Sequence, residues 1–336
     1  MLDFIRVAAC VPRVTVGNTV QNTEAILVMA REAERKKPQL TVFPELSLTG
    51  YTCADLFFQS ALLAGAREGL REIVRASAEL SSALAVGLPL ELGGRLYNCA
   101  AIVAGGRLLG LVPKTYIPNY NEFYEKRWFT SGAELALCEV SAEALGLGDL
   151  QGEAVPIGTD LIFDAGAFRF GAEICEDLWA TVPPSAYLAM GGAEVMLNLS
   201  ASNETISKRR YRRSLVATQS AAQLDGYVYV SAGCTESTTD LIFSGHSMIC
   251  EAGRMIAENR ETIDGDYVLY GDIDLGKLRV DRLKIKTFAD GAAQNAHSFR
   301  RVAVPLEVPE NDLSCYPVSR LPFVPDSKND RTERCM

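Results

Sequence analysis

Residues 168–179 read FRFGAEICEDLW. The run up to Ile174 has the composition of a strand that is covered on both faces, and it stops at Cys175, with the carboxylates of Glu176 and Asp177 directly behind. A cysteine used as a small hydrophobe sits inside such a run. This one stands where strand gives way to loop, which is where layered α/β folds present their functional residues. Two other strand ends share the arrangement: TVFPELSLTGY ends one at Glu45, and LLGLVPKTYIPNYNEFYEKRWF ends one at Lys114. A thiol is a nucleophile once deprotonated, a carboxylate in an apolar setting takes up a proton, and an ammonium offers fixed charge to an oxyanion. Each residue also has an ordinary reading, as core filler, solvated cap or edge charge.

Outward from these stretches, strands and helices alternate. FIRVAACVP reads as a strand. Asn18 with Gln21 resembles a capping pair for a helix that carries Ile26, Ala30 and Ala33 on one face up to about Lys37. Leu63, Leu70, Ile73 and Val74 mark a second amphipathic helix. SALAVGLPLEL and LYNCAAIVAGGRLLGLVPK follow as strands, with a hairpin at Gly105-Gly106. The second half repeats the pattern: a hairpin over TDLIFDAGAFRFGAEI, a short helix stopped at Gly191-Gly192, the strand AEVMLNLS, and a helix from about Glu204 to Leu224. Strands over GYVYVSAG, LIFSGHSMI and DYVLYGDID complete it. Nearly all-apolar strands among helices predict an α/β layered sandwich. After about Ala289, Pro305, Pro309, Pro317, Pro322 and Pro325 predict an extended, linker-like tail.

Composition narrows the function. A net charge of -9 repels phosphate backbones, so no nucleic acid is expected as partner. The basic run Lys208, Arg209, Arg210, Arg212 and Arg213 reads for the most part as a solvated helix face. No leader pattern or bilayer-length apolar run occurs, which predicts a cytoplasmic protein with no membrane association. Nine cysteines without a Cys-x-x-Cys pair, and two histidines, predict reduced thiols and no metal site. Cys10, Cys99 and Cys250 read as core. Cys53 lies close to Glu45 in sequence. His246 and His297 read as satisfied structural residues, with FSGHSMI as a strand beneath the site floor. Trp128 and Trp179 read as lining or bracing a pocket.

FPELSLTGY, PKTYIPNYNEFYEKRWF and ICEDLW together resemble the three signature segments of the nitrilase (carbon–nitrogen hydrolase) superfamily, from the first strand to about residue 275. That resemblance implies a four-layer αββα sandwich and a Glu-Lys-Cys triad. Within the superfamily the chain is similar to the glutaminase domain of glutamine-dependent NAD synthetases, through FPELSLTGYTCADLF, NLSASNETISKRRYRRSLV and the tail LPFVPDSKNDRTERC. The implied organisation is a glutaminase domain over residues 1–288 and a linker-like tail over 289–336, leading to a synthetase domain absent from this chain. No Ser-Gly-Gly-x-Asp-Ser pyrophosphate loop occurs.

The resemblance implies Cys175 as nucleophile, Glu45 as general base and later acid, and Lys114 with the backbone N–H of Glu176 as oxyanion donors. Glu125 would orient the lysine and the base, while Tyr120, Ser202 and Lys208 would hold the amino-acid head of L-glutamine. Asn203 follows Ser202 where proline is common in that family. Glu176 and Asp177 are expected to turn their carboxylates away from the thiol. No cofactor is expected for ammonia release; ATP and Mg belong only to the synthetase domain, and a homo-oligomer is implied. The alternatives are a free-standing amidase or ω-amidase acting on another small carboxamide, and a non-catalytic scaffold for a larger synthetase.

Overall fold

A computed structural model describes residues 3–318. In chain order the first half contains β1 (Phe4–Val11), α1 (Thr19–Ala33), β2 (Leu40–Val42), α2 (Ser60–Ala76), β3 (Ala83–Leu92), β4 (Arg95–Ala104) and β5 (Arg107–Pro113). Two short ribbons follow, β6 (Asn119–Tyr120) with β7 (Phe123–Tyr124), and β8 (Glu139–Val140) with β9 (Val155–Pro156). The second half contains β10 (Leu161–Asp164), β11 (Arg169–Ile174), α3 (Pro184–Met190), β12 (Val195–Ser200), α4 (Lys208–Gln223) and β13 (Gly226–Ser231). Then come β14 (Met248–Glu251), β15 (Arg254–Glu258), β16 (Tyr267–Asp274), α5 (Leu275–Lys284), α6 (Lys286–Gln294) and β17 (Arg300–Ala303).

The strands form a six-stranded sheet in the order β16-β1-β2-β3-β4-β5 and a seven-stranded sheet in the order β15-β14-β13-β12-β11-β10-β17. Strand side chains alternate between faces, so β1 sends Ile5, Val7 and Ala9 between the sheets, against residues such as Phe170, Ala172, Leu197 and Val228. Its other face, Ala8 and Cys10, packs with Ile26, Ala30, Leu70 and Ile73 of α1 and α2. The outer face of the second sheet, with Met196 and Tyr227, is covered by Leu188 of α3 and Val216 of α4. Helix, sheet, sheet, helix is thus the layer order, and it explains why so few strands alternate apolar with polar residues. Asn18 caps α1 by accepting from the Gln21 backbone N–H at 3.1 Å. Among the described residues no helix is long and apolar enough to cross a membrane.

Three local expectations change. The stretch Leu241–Ser247 is loop, and strand begins only at Met248. Its polar atoms are instead used on side chains: Ser244 Oγ bonds Glu204, and His246 bonds Arg212 and Glu258. Helix α4 starts at Lys208 rather than about Glu204, because Ser207 stands at a φ of 71°. The segment expected to run extended from Ala289 carries α6 on to Gln294. It then adds β17, parallel to β10 with Leu161 opposite Arg300. Farther on, Asn311 Nδ2 and the Cys315 N–H both donate to the buried Asp272 carboxylate, at 3.1 and 2.8 Å. The tail stretch LPFVPDSKNDRTERC lies outside the described residues.

Candidate active site

Glu45, Lys114 and Cys175 each follow the C-terminal end of a strand, and the two sheets bring those ends together. Beyond β2 the chain turns through Glu45 and Leu46, the latter at a φ of 52°. This turn lies directly on β3 at Gly87, where an added Cβ would stand 2.3 Å from the Leu46 nitrogen and 2.5 Å from the Pro44 oxygen. Only glycine allows that approach. Lys114 continues β5, its N–H bonded to the Asn98 carbonyl at 2.8 Å.

The side chains form one buried charge cluster. Lys114 Nζ donates to Glu45 Oε1 at 2.6 Å and to both oxygens of Glu125 at 2.8 and 2.9 Å. Asn98 Nδ2 donates to the same Glu45 Oε1 at 2.6 Å, and Tyr51 OH donates to Glu125 Oε1 at 2.7 Å. Burial works against the charge on Lys114, but Glu125 and Glu45 outweigh it and hold the ammonium well above its ordinary range. Burial raises Glu125, and Lys114 opposes that rise.

Cys175 has a φ of 44°, in the left-handed region that a non-glycine residue enters at a cost of about 1–3 kcal/mol. It opens the 3-10 turn Cys175–Trp179. Burial, reinforced by Glu45, pushes its thiol far up from the ordinary range, while Lys114 pulls the other way. The resting group is therefore a thiol that needs a base to ionise it. Asp177 turns from the sulfur as the sequence suggested: its carboxylate accepts from the N–H groups of Ile174, Thr115 and Tyr116 at 2.9, 3.1 and 2.8 Å. One side chain thereby ties the Cys175 turn to the chain leaving Lys114. Glu176 turns toward a cavity, where it accepts from Tyr120 OH at 2.8 Å.

That cavity, of about 200 Å³, is lined by Cys175, Glu176, Tyr120, Ser202, Lys208 and Trp179, among others. The three residues expected at the substrate's head thus share one enclosure with the thiol. Lys208 Nζ lies 5.3 Å from the Phe123 ring centre and 5.5 Å from that of Trp179, and it bonds Asn203 Oδ1. Asn203 Nδ2 donates to Glu122 at 2.6 Å. Asn203, at the position where proline is common, thus links Lys208 to the facing loop. Trp128 lines a different cavity and donates to Asp55 at 3.0 Å. Cys53 is buried and bonds the Thr49 carbonyl. His297 packs edge-on against Tyr187 at 4.4 Å.

The sequence reading missed Asn98, Tyr51 and Glu122, and it gave Asn203 no contact. Asn98 carried a signal: it is the one amide inside the otherwise apolar run NCAAIVA. Within the basic run, Arg212 departs from the expected solvated face. It is fully buried and bonds His246, the Ser202 carbonyl and Glu204.

Comparison with known proteins places the chain in a family. Over 339 residues the chain is 39% identical to the glutamine-dependent NAD(+) synthetase of Mycobacterium tuberculosis (strain ATCC 25618 / H37Rv), covering 99% of this chain and 49% of that protein. The glutamine-dependent NAD(+) synthetase of Rattus norvegicus is 29% identical over 303 residues, covering 89% of this chain and 41% of that one. The chain therefore spans about half the length of the curated relatives it matches. A glutamine-dependent NAD(+) synthetase structure from Cytophaga hutchinsonii superposes with a TM-score of 0.71 at 28% identity, over 80% of this chain and 43% of that one. A carbon–nitrogen hydrolase structure from Helicobacter pylori G27 shares the fold, with a TM-score of 0.65 at 19% identity over 86% and 94% of the two chains. The family model described as carbon-nitrogen hydrolase matches residues 6–282. The chain belongs to the carbon–nitrogen hydrolase family.

Proposed function

We propose that this chain hydrolyses the side-chain amide of L-glutamine to glutamate and ammonia through a thioester on Cys175. The ammonia would serve an ATP- and Mg-dependent NAD synthetase domain that is not among these residues; ammonia release itself would need no cofactor. The observation that carries the reading is the clasp of Lys114 between Glu45 and Glu125 beside a strained cysteine that opens on a cavity. Lys208, Ser202 and Tyr120 suit an amino-acid head, and the named relatives are glutamine-dependent.

The Cys175 sulfur attacks the amide carbon as its proton passes to Glu45. The oxyanion is met by Lys114 and the backbone N–H of Glu176, donors worth about 3–4 kcal/mol each in other acyl-transfer enzymes. Glu45 returns the proton to nitrogen, the C–N bond breaks, and ammonia leaves. Water activated by the same carboxylate then cleaves the thioester. The test compares ammonia release from glutamine, asparagine and simple aliphatic amides, with mass spectrometry for a glutamyl adduct on Cys175. Glutamine as best substrate, and loss of both signals in Cys175→Ala with folding intact, is the expected result. Preference for another carboxamide would overturn the substrate, and turnover in Cys175→Ala would overturn the mechanism.

A further inference from the structure

We infer that Asn98 is a positioning residue: it holds the Glu45 carboxylate so that Oε1 is occupied and Oε2 is the oxygen that exchanges a proton with Cys175. This rests on the thiol-to-carboxylate proton transfer proposed above. Asn98 lies inside β4 with no exposed surface, between Tyr97 and Cys99 and opposite Pro89 of β3. A primary amide in such a setting costs stability unless its hydrogen bonds are used. One end is used: Nδ2 donates to Glu45 Oε1 at 2.6 Å. The other is not: Oδ1 has no partner among the described residues. The carboxylate thus dictates which way the amide faces, since Oδ1 turned toward Oε1 would set acceptor against acceptor.

Glu45 itself is divided in the same way. Oε1 accepts from both Asn98 Nδ2 and Lys114 Nζ at 2.6 Å, whereas Oε2 is buried with no partner among the described residues. Turning the carboxylate out of this orientation would break two short hydrogen bonds at once. Oε2 is therefore kept without a donor, free to meet the thiol proton. The Asn98 carbonyl also accepts from the Lys114 N–H at 2.8 Å, so one residue aligns the base and the backbone of the oxyanion donor. The charged or titratable groups that act on Glu45 are Lys114, Glu125, Cys175, Tyr51, Glu176 and Glu236, while Tyr120 and Lys208 also face the thiol. The step balances simply: the S–H proton passes to Oε2 as the S–C bond forms, then from Oε2 to nitrogen as the C–N bond breaks.

The test uses Asn98→Ala and Asn98→Asp in the whole chain. Three quantities are followed: kcat and KM for glutamine, the pH profile of kcat, and the rate at which iodoacetamide alkylates Cys175, located by peptide mass. Asn98→Ala is expected to lower kcat roughly tenfold to a hundredfold, the range for a hydrogen bond to a charged group, with KM within about twofold. The shape of the pH profile should change as well, because the carboxylate loses one of the two donors that fix it. Alkylation near neutral pH should slow in parallel. Asn98→Asp keeps the shape without the amide donor, should show the same loss above neutral pH, and serves if the alanine variant does not fold. An unmoved pH profile and unchanged alkylation, with activity following only the folded fraction, would overturn the inference. If the unmodified chain is alkylated at Cys175 yet does not turn over glutamine, the substrate proposal falls. The alkylation rates then still decide the role of Asn98.

Discussion

Two fully buried cations, Lys114 and Arg212, sit in this molecule and do different work. Lys114 is clasped by two carboxylates, Glu45 and Glu125, that adjoin the cysteine facing the cavity. Arg212, in α4, bonds the Ser202 carbonyl at 3.3 Å, Glu204 and His246, all in loops. Both satisfy the requirement that a buried charge be paired and hydrogen-bonded. Burial of a cation therefore does not separate chemistry from scaffolding. The partners do: those of Lys114 adjoin a buried thiol, and those of Arg212 fix the backbone that carries Ser202 and leads to Lys208.

The largest expected effect breaks the first cluster. Lys114→Met leaves Glu45 and Glu125 buried together without their ammonium, which is expected to cost about 3–5 kcal/mol in urea unfolding. In the fraction that stays folded, glutamine turnover should fall at least about a hundredfold through loss of the proposed oxyanion donor. Near-native stability would show that the two carboxylates share a proton or separate, and that the clasp is not an obligatory part of the fold.

Arg212→Met sharpens the contrast. It removes hydrogen bonds to Glu204 and His246 and is expected to cost about 2–3 kcal/mol, less than the first change because Glu204 reaches water. Its kinetic signature should be a raised KM with kcat nearly held, since the displaced groups are Ser202 and Lys208, the residues proposed to hold the substrate's head. A fall in kcat matching that of Lys114→Met would place Arg212 in the reacting cluster and dissolve the distinction.

The contrast also explains what could be read from sequence. Strand ends carrying Glu45, Lys114 and Cys175 announce themselves, because a polar residue must break a doubly buried apolar run where the sheet meets the loops. The helices α1 and α2 were equally plain in their apolar spacing. Arg212 was not: helical periodicity assigns it a direction, but what lies in that direction, His246 and Glu204, comes from loops whose path no spacing rule gives. Likewise, β17 pairs with β10 across well over a hundred residues. The proline-marked segment around it has no local pattern to show that pairing. Asn203 reads as a departure from a family pattern, and only the fold shows it joining Lys208 to Glu122.

The smallest effect is a pH dependence confined to the second cluster. Arg212 Nε donates to His246 Nδ1 at 3.0 Å, so the ring proton sits on Nε2 and points at Glu258 Oε1, also 3.0 Å away. Burial, reinforced by Arg212, lowers His246 from 6.5 to about 4. The folded state thus holds the ring neutral, while the unfolded chain takes up a proton below pH 6.5. A base whose folded value is depressed contributes stability above its unfolded value and loses it as pH falls toward the folded one. From about pH 7 to about pH 5 the loss from this residue amounts to roughly 2 kcal/mol. Urea midpoints for the unmodified chain and His246→Gln across that interval isolate it, since the buried carboxylates contribute to both. The variant should show the shallower decline in stability on acidification. Parallel curves would mean that His246 is protonated beside Glu258 in the folded state, and that the Arg212 cluster carries one more positive charge than its hydrogen bonds require.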